Sequence, residues 1–137
     1  MTDTEQAWRP PHYADAEGFD EYAITLGSGP SAVSGTLSVP QGRGTHAGVV
    51  FLPGSGPADR DSTMGVNKPL EDLAWGPAAR GVAVLRFDKI YIAHPEQVTE
   101  TYTPTDEYVP HAVAAVRVDP HVIDDISTWL TTAGQAI

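Results

Sequence analysis

The sequence predicts an α/β domain, and three observations carry that prediction. Two runs with apolar residues at every second position flank a Gly/Pro turn, the pattern of an antiparallel hairpin. Two later runs, residues 47–52 and Val82–Phe87, are apolar almost throughout and of strand length, as expected of strands buried on both faces. Between those two lies a stretch of helical periodicity. Strand, loop, helix and strand in that order make a parallel β-α-β unit, which is right-handed in nearly every known case.

The elements follow in chain order. Residues 1–20 lack periodicity and carry Pro10-Pro11, so they are read as an arm held to the body by Trp8, Tyr13 and Phe19, with the domain proper at 21–137. Tyr22, Ile24 and Leu26 share one face of the first strand, and Gly27-Ser28-Gly29-Pro30 breaks it. Val33, Gly35, Leu37 and Val39 repeat the period, and Pro40-Gln41-Gly42-Arg43-Gly44 makes a second turn. The apolar run 47–52 ends abruptly in Pro53-Gly54-Ser55-Gly56-Pro57. A polar loop then leads to Asn67, a suitable helix N-cap with Pro69 in the first turn. Leu70, Leu73, Ala74 and Ala78 form the predicted apolar stripe, Gly81 closes the helix, and Pro77 predicts a kink or an early end.

After the strand Val82–Phe87 comes a long connection, 90–103. Thr103-Pro104-Thr105-Asp106 has the cap, the proline and the returning acid of a helix start. The helix 104–117 is expected to bury Tyr108, Ala112, Ala115 and Val116, and a short final helix, 120–133, carries Val122, Ile126 and Trp129.

Composition bounds the function. The 137 residues fit one domain or half of a larger one, with 41% hydrophobic and 19% charged residues. Eight Lys and Arg against 18 Asp and Glu give a net charge of −10, which repels phosphate backbones and anionic lipid surfaces. Nucleic-acid and membrane partners are therefore not expected. The absence of cysteine removes thiolate catalysis and cysteine-ligated zinc. No metal site or cofactor is expected: the five histidines are scattered without ligand spacing and read as surface residues. With no basic-apolar leader at the start and no bilayer-length apolar run, a soluble, cytoplasmic chain is expected.

The loop after the first buried strand is the leading functional candidate. In open parallel sheets the ligand crevice lies at the carboxyl ends of the strands. Gly54, Ser55 and Gly56 stand there, where glycine lets backbone N–H groups approach a ligand or a developing oxyanion. The same residues also suit a tight turn, and from spacing alone that reading leads. Asp59, Arg60 and Asp61 could form a local ion-pair knot or simply keep the loop wet, and Asp88-Lys89 closes the second parallel strand facing the crevice. Neither G-x-G-x-x-G leading into a helix nor a Walker pattern is present, and no five residues match the G-x-S-x-G nucleophile elbow.

These residues do, however, resemble a known family. Leu52-Pro53-Gly54-Ser55-Gly56-Pro57, Asp59-Arg60-Asp61, Asn67-Lys68-Pro69, Asp72-Leu73-Ala74-Trp75 and Arg80 through Lys89 are similar, in that order, to the N-terminal part of α/β-hydrolase-fold enzymes of the dienelactone-hydrolase and serine-peptidase-like esterase type. The resemblance implies a partial α/β-hydrolase fold, an ester or amide substrate, and an oxyanion-hole N–H from Ser55 or its neighbour, with Gly54 and Gly56 as further candidates. It departs at Pro53, where the family commonly has His, and after residue 116, where the family continues into a fifth strand and the elbow serine. No catalytic residue is assigned. The chain is expected to be truncated before that strand and inactive alone. Alternatives are half of a split hydrolase completed by a partner chain, or a binding or regulatory module that keeps the crevice. A complete fold of this type places the third strand between the fourth and fifth, so residues 47–52 would here be an open edge inviting a second copy or a complementing chain.

Overall fold

The computed structural model describes residues 7–42, 46–54 and 56–116. Ser55, Arg43 and Gly44 of the second turn, the side chain of Val116 and the expected helix 120–133 lie outside the described residues. Four strands, β1 (Phe19–Leu26), β2 (Val33–Pro40), β3 (Ala47–Phe51) and β4 (Val82–Phe87), form one sheet in the order β1-β2-β4-β3. The hairpin forms as the alternation predicts, with Leu26 opposite Val33 and Phe19 opposite Pro40. β4 runs antiparallel to β2 and parallel to β3, with Ala47 opposite Val82 and Phe51 opposite Arg86. A mixed sheet with helices α1 (Pro69–Ala78), α2 (Ile90–Ala93) and α3 (Pro104–Val116) makes this an α/β fold.

Period-two alternation divides the strands between two faces. One face holds Ile24, Leu26, Val33, Leu37, Val39, Ala83, Leu85 and Phe87, closed over by Ala115 of α3. Gly35 lies in this face, and no other residue fits there: a Cβ would stand 2.8 Å from the Arg86 carbonyl oxygen and 3.2 Å from Ile24. The other face carries Phe19, which meets Trp75 and Ala78 of α1. Trp8 stacks edge-on against Trp75 and donates its indole N–H to Asp72 at 2.8 Å, and the Tyr13 hydroxyl donates to the Asp72 carbonyl.

Several expectations need correction. Helix α1 turns Glu71, Ala74, Trp75 and Ala78 toward the sheet, spaced i, i+3, i+4 and i+7, and leaves Leu73 57% exposed. The predicted stripe is thus rotated, because an ion pair claims the position at 71. Asn67 is not the N-cap. Its backbone pairs with Met64 in a tight bridge, Lys68 takes the cap position without a side-chain bond, and the Asp61 carbonyl accepts the first-turn amide of Leu70. In α3 the Thr103–Asp106 capping box forms as expected, with Thr103 N–H donating to Asp106 at 2.9 Å and Asp106 N–H to Thr103 Oγ1 at 3.3 Å. The helix buries His111 and Ala115, while Tyr108 and Ala112 are only half-buried.

His111 is therefore no surface residue. Its Nε2 bonds the Ser31 carbonyl at 2.8 Å, beside a bond from His94 Nε2 to the Ala32 carbonyl at 2.6 Å. The long connection 90–103 contains α2 and a 3-10 turn at Pro95–Gln97, and with α3 it holds the hairpin turn in place.

Candidate active site

The carboxyl ends of β3 and β4 lie side by side because those strands are parallel and in register, so the loop after β3 and the pair Asp88-Lys89 are neighbours. Gly54 needs no glycine for its own sake: its φ is not left-handed, and a Cβ there would meet nothing within 4 Å. Gly56 has φ +79°, a conformation that favours glycine. Ser55 itself lies outside the described residues.

Asp88 and Arg60 form the first tie between loop and strand. Arg60 Nε and Nη2 donate to the two Asp88 oxygens at 3.0 and 2.9 Å, a bidentate fork, and the Arg60 backbone N–H donates to Oδ1 at 2.8 Å. Arg60 Nη1 also donates to Thr36 Oγ1 at 2.8 Å, which carries the tie across to β2. Asp59 faces the other way and accepts from the Thr63 amide and hydroxyl. Partial burial works against its charge, but those hydrogen bonds hold its carboxyl below the usual range. The local knot of 59–61 is thus replaced by a longer-range one: Arg60 reaches Asp88, and Asp61 reaches Arg86.

Arg86 is the residue that sequence reasoning left unexplained. It is 3% exposed within an apolar strand. Its Nε donates to Asp61 at 2.9 Å and its Nη1 to Glu21 and to Ser38 Oγ, both at 3.1 Å, while Nη2 lies 3.8 Å from Glu71. One guanidinium thus faces three carboxylates, with Lys68 3.8 Å from Asp61 as a further cation. Burial first, and then the neighbouring Asp61 charge, push the Glu71 carboxyl up to about 7 despite Arg86. The signal was present in the sequence, since a charge inside a buried strand requires partners.

Lys89 makes the second tie and is fully buried. Its Nζ donates to the Gly54 carbonyl at 2.9 Å and to the Tyr108 hydroxyl at 3.3 Å, pairs with Glu107, and lies 4.6 Å from the centre of the Tyr108 ring. Its backbone N–H reaches the Ala58 carbonyl at 3.4 Å. Burial pushes the Lys89 ammonium below its ordinary value. Among the described residues no group of three potential ligands could hold a metal ion. A recess of about 390 Å³ lies elsewhere, lined by Ala7, Trp8, Arg9, Val66, Asn67 and Asp72, and none of the loop residues borders it. Among the described residues no helix is long and apolar enough to cross a membrane.

The mixed four-stranded sheet and its helices define an α/β protein, with the ends of the parallel strands β3 and β4 side by side. Comparison with known proteins adds a relative. The chain is 36% identical over 115 residues to Esterase EstD of Thermotoga maritima, an alignment that takes in 84% of this chain and 27% of that protein. The chain therefore spans about a quarter of the length of the curated relative that it matches. The similarity supports an esterase-like family and hydrolase-type ancestry for the matched portion. No protein-family profile and no solved structure matches the chain.

Proposed function

We propose that the chain is the oxyanion-side portion of an α/β-hydrolase-fold esterase, and that the reaction it serves is acyl transfer from a small ester to water. The observation that carries this reading is the alignment with an esterase over 84% of the chain, which takes in both strand ends that flank the glycine loop. The geometry supports it. Gly54 is free of any packing or backbone reason to be glycine, which fits a loop left open to an incoming carbonyl. Backbone N–H groups there would meet the negative charge that develops on the carbonyl oxygen, the contribution that oxyanion holes make to acyl transfer.

In this reading the nucleophile and its base come from polypeptide beyond these residues. No G-x-S-x-G elbow occurs in the 137 residues, and a serine without a paired base is a weak nucleophile. Among the described residues β3 is paired on one side only, which favours completion of the sheet by polypeptide corresponding to the rest of the esterase relative, and the relative's greater length agrees with that. The test is incubation of the purified chain with p-nitrophenyl acetate and a fluorophosphonate. Neither turnover nor stoichiometric labelling is expected, and Ser55→Ala changes nothing. Stoichiometric serine labelling with turnover, abolished by Ser55→Ala, would contradict the reading and make Ser55 a nucleophile.

A further inference from the structure

The charges around Arg86 do not balance. Arg86 and Lys68 supply two cations, whereas Glu21 of β1, Asp61 of the loop and Glu71 of α1 supply three carboxyl groups. Asp61 and Glu21 accept directly from the guanidinium, at 2.9 and 3.1 Å, and Glu21 also accepts from the Ser38 hydroxyl at 2.7 Å. Glu71 is left over. Its Oε1 lies 3.8 Å from Arg86 Nη2, beyond hydrogen-bond reach, and its side chain meets that of Asp61 instead. The Glu71 and Asp61 side chains are only 14% and 15% exposed, so water does little to screen one from the other. Two ionised carboxyl groups repel at such a contact. With one proton between them they bond, and the cluster becomes neutral.

We propose that Asp61 and Glu71 share one proton, and that this proton latches the loop 59–67 onto the start of α1. The backbone brings the two groups together, since the Asp61 carbonyl accepts the amide of Leu70, the residue before Glu71, at 3.0 Å. The loop has a reason to leave when the latch is lost. Ser62, next to Asp61, has φ +52°, a left-handed conformation that strains any residue with a side chain. Much of the loop also bonds to itself, Thr63 to Asp59 and Met64 to Asn67, so it can move as a unit. Its fastenings to the body are Arg60, bonded to Asp88, and Asp61. Every charged neighbour of Glu71 acts on the proton. Burial and then the Asp61 charge favour keeping it, Arg86 from β4 opposes that, and Glu21 from β1 and the bond to Asp61 favour it again. Lys68 stands 3.8 Å from Asp61 and steadies that charge. The balance brings Glu71 from 4.5 up to about 7, so the latch is closed below neutrality and weakens as pH rises through that value.

The latch depends on neither ester hydrolysis nor a completed sheet, and its test needs no activity. In the full chain the Glu71 carboxyl carbon is titrated by carbon-13 NMR. Exchange of the Leu70 amide is followed at about pH 5.5 and about pH 8.5, corrected for the pH dependence of unprotected amides, with the β1–β2 ladder as internal reference. Glu71 is expected to titrate near 7. Protection of the Leu70 amide is expected to fall by at least about tenfold at the higher pH while the reference is unchanged. In Glu71→Gln, whose amide donates to Asp61 without a titrating proton, protection is expected to be the same at both pH values. A Glu71 titration near 4.5, equal Leu70 protection at the two pH values in the wild-type chain, or an equal fall in the reference overturns the inference. A fall that persists undiminished in Glu71→Gln overturns it as well. Should that variant not fold, the wild-type titration and exchange decide.

Discussion

β3 and β4 are neighbours of similar composition and opposite circumstances. β4 contains a charged residue, Arg86, yet it is buried from Ala83 to Phe87. β3 contains no charge, yet its first three residues are exposed, Val49 is 37% exposed, and Leu52 just beyond it is 49% exposed. The difference is position. β4 lies between β2 and β3, whereas β3 has a strand on one side only among the described residues. An apolar run therefore states what a strand is built to meet, and its neighbours decide whether it meets it. A buried arginine makes the converse point, because partners from β1, the loop and α1 make the burial tolerable.

Removing what makes β4 tolerable is the largest way to break the comparison. Arg86→Met leaves Glu21, Asp61 and Glu71 facing one another without their shared cation, and a loss of about 3–5 kcal/mol is expected in urea unfolding. Wild-type stability in that variant would show that the network is dispensable. Gly35→Val, which forces a side chain against the Arg86 carbonyl, Ile24 and Phe87, is expected to cost about 2–3 kcal/mol by the same measurement.

The network also makes a prediction about pH. Glu71 has an ordinary value of 4.5 and is raised to about 7 in the folded chain. Between those values the folded state keeps a proton that the unfolded state has released, so this group's contribution to stability falls as pH rises through that window. Glu71→Gln removes the fall, and its stability relative to wild type should grow by about 3 kcal/mol between pH 4.5 and 7.5. Parallel stability curves would contradict the assignment.

The β3 edge, unpaired among the described residues, predicts the smallest change in folding free energy. Val49→Lys on β3 should alter stability by less than about 0.5 kcal/mol, since the side chain is already partly solvated. A charge on an apolar edge discourages strand addition, so self-association measured by light scattering should fall. Unchanged scattering would mean that the edge does not mediate association of the isolated chain.

The sequence made the strands legible because their signal is local: alternation gave β1 and β2, and apolar runs gave β3 and β4. The rotation of α1 was not legible, since Leu73 and Glu71 exchange their expected places only because Arg86 stands beneath the helix. His111 was misread for a similar reason, as its partner carbonyl on Ser31 lies 80 residues away in the chain. At the candidate site, Asp88 and Lys89 were named from their place at a strand end. Their partners Arg60 and Gly54 were named too, but the pairings between them depend on how the loop after β3 folds back, which no spacing encodes. Glu107 and Tyr108 were missed as site residues because the helix that carries them reads as ordinary core packing.

This chain is proposed to form one side of an esterase site. The most direct measurement replaces the matched portion of Esterase EstD with the corresponding residues of this chain and follows p-nitrophenyl acetate hydrolysis by the folded chimera. Retained turnover is the predicted result. A folded, monodisperse chimera with no turnover would contradict the claim.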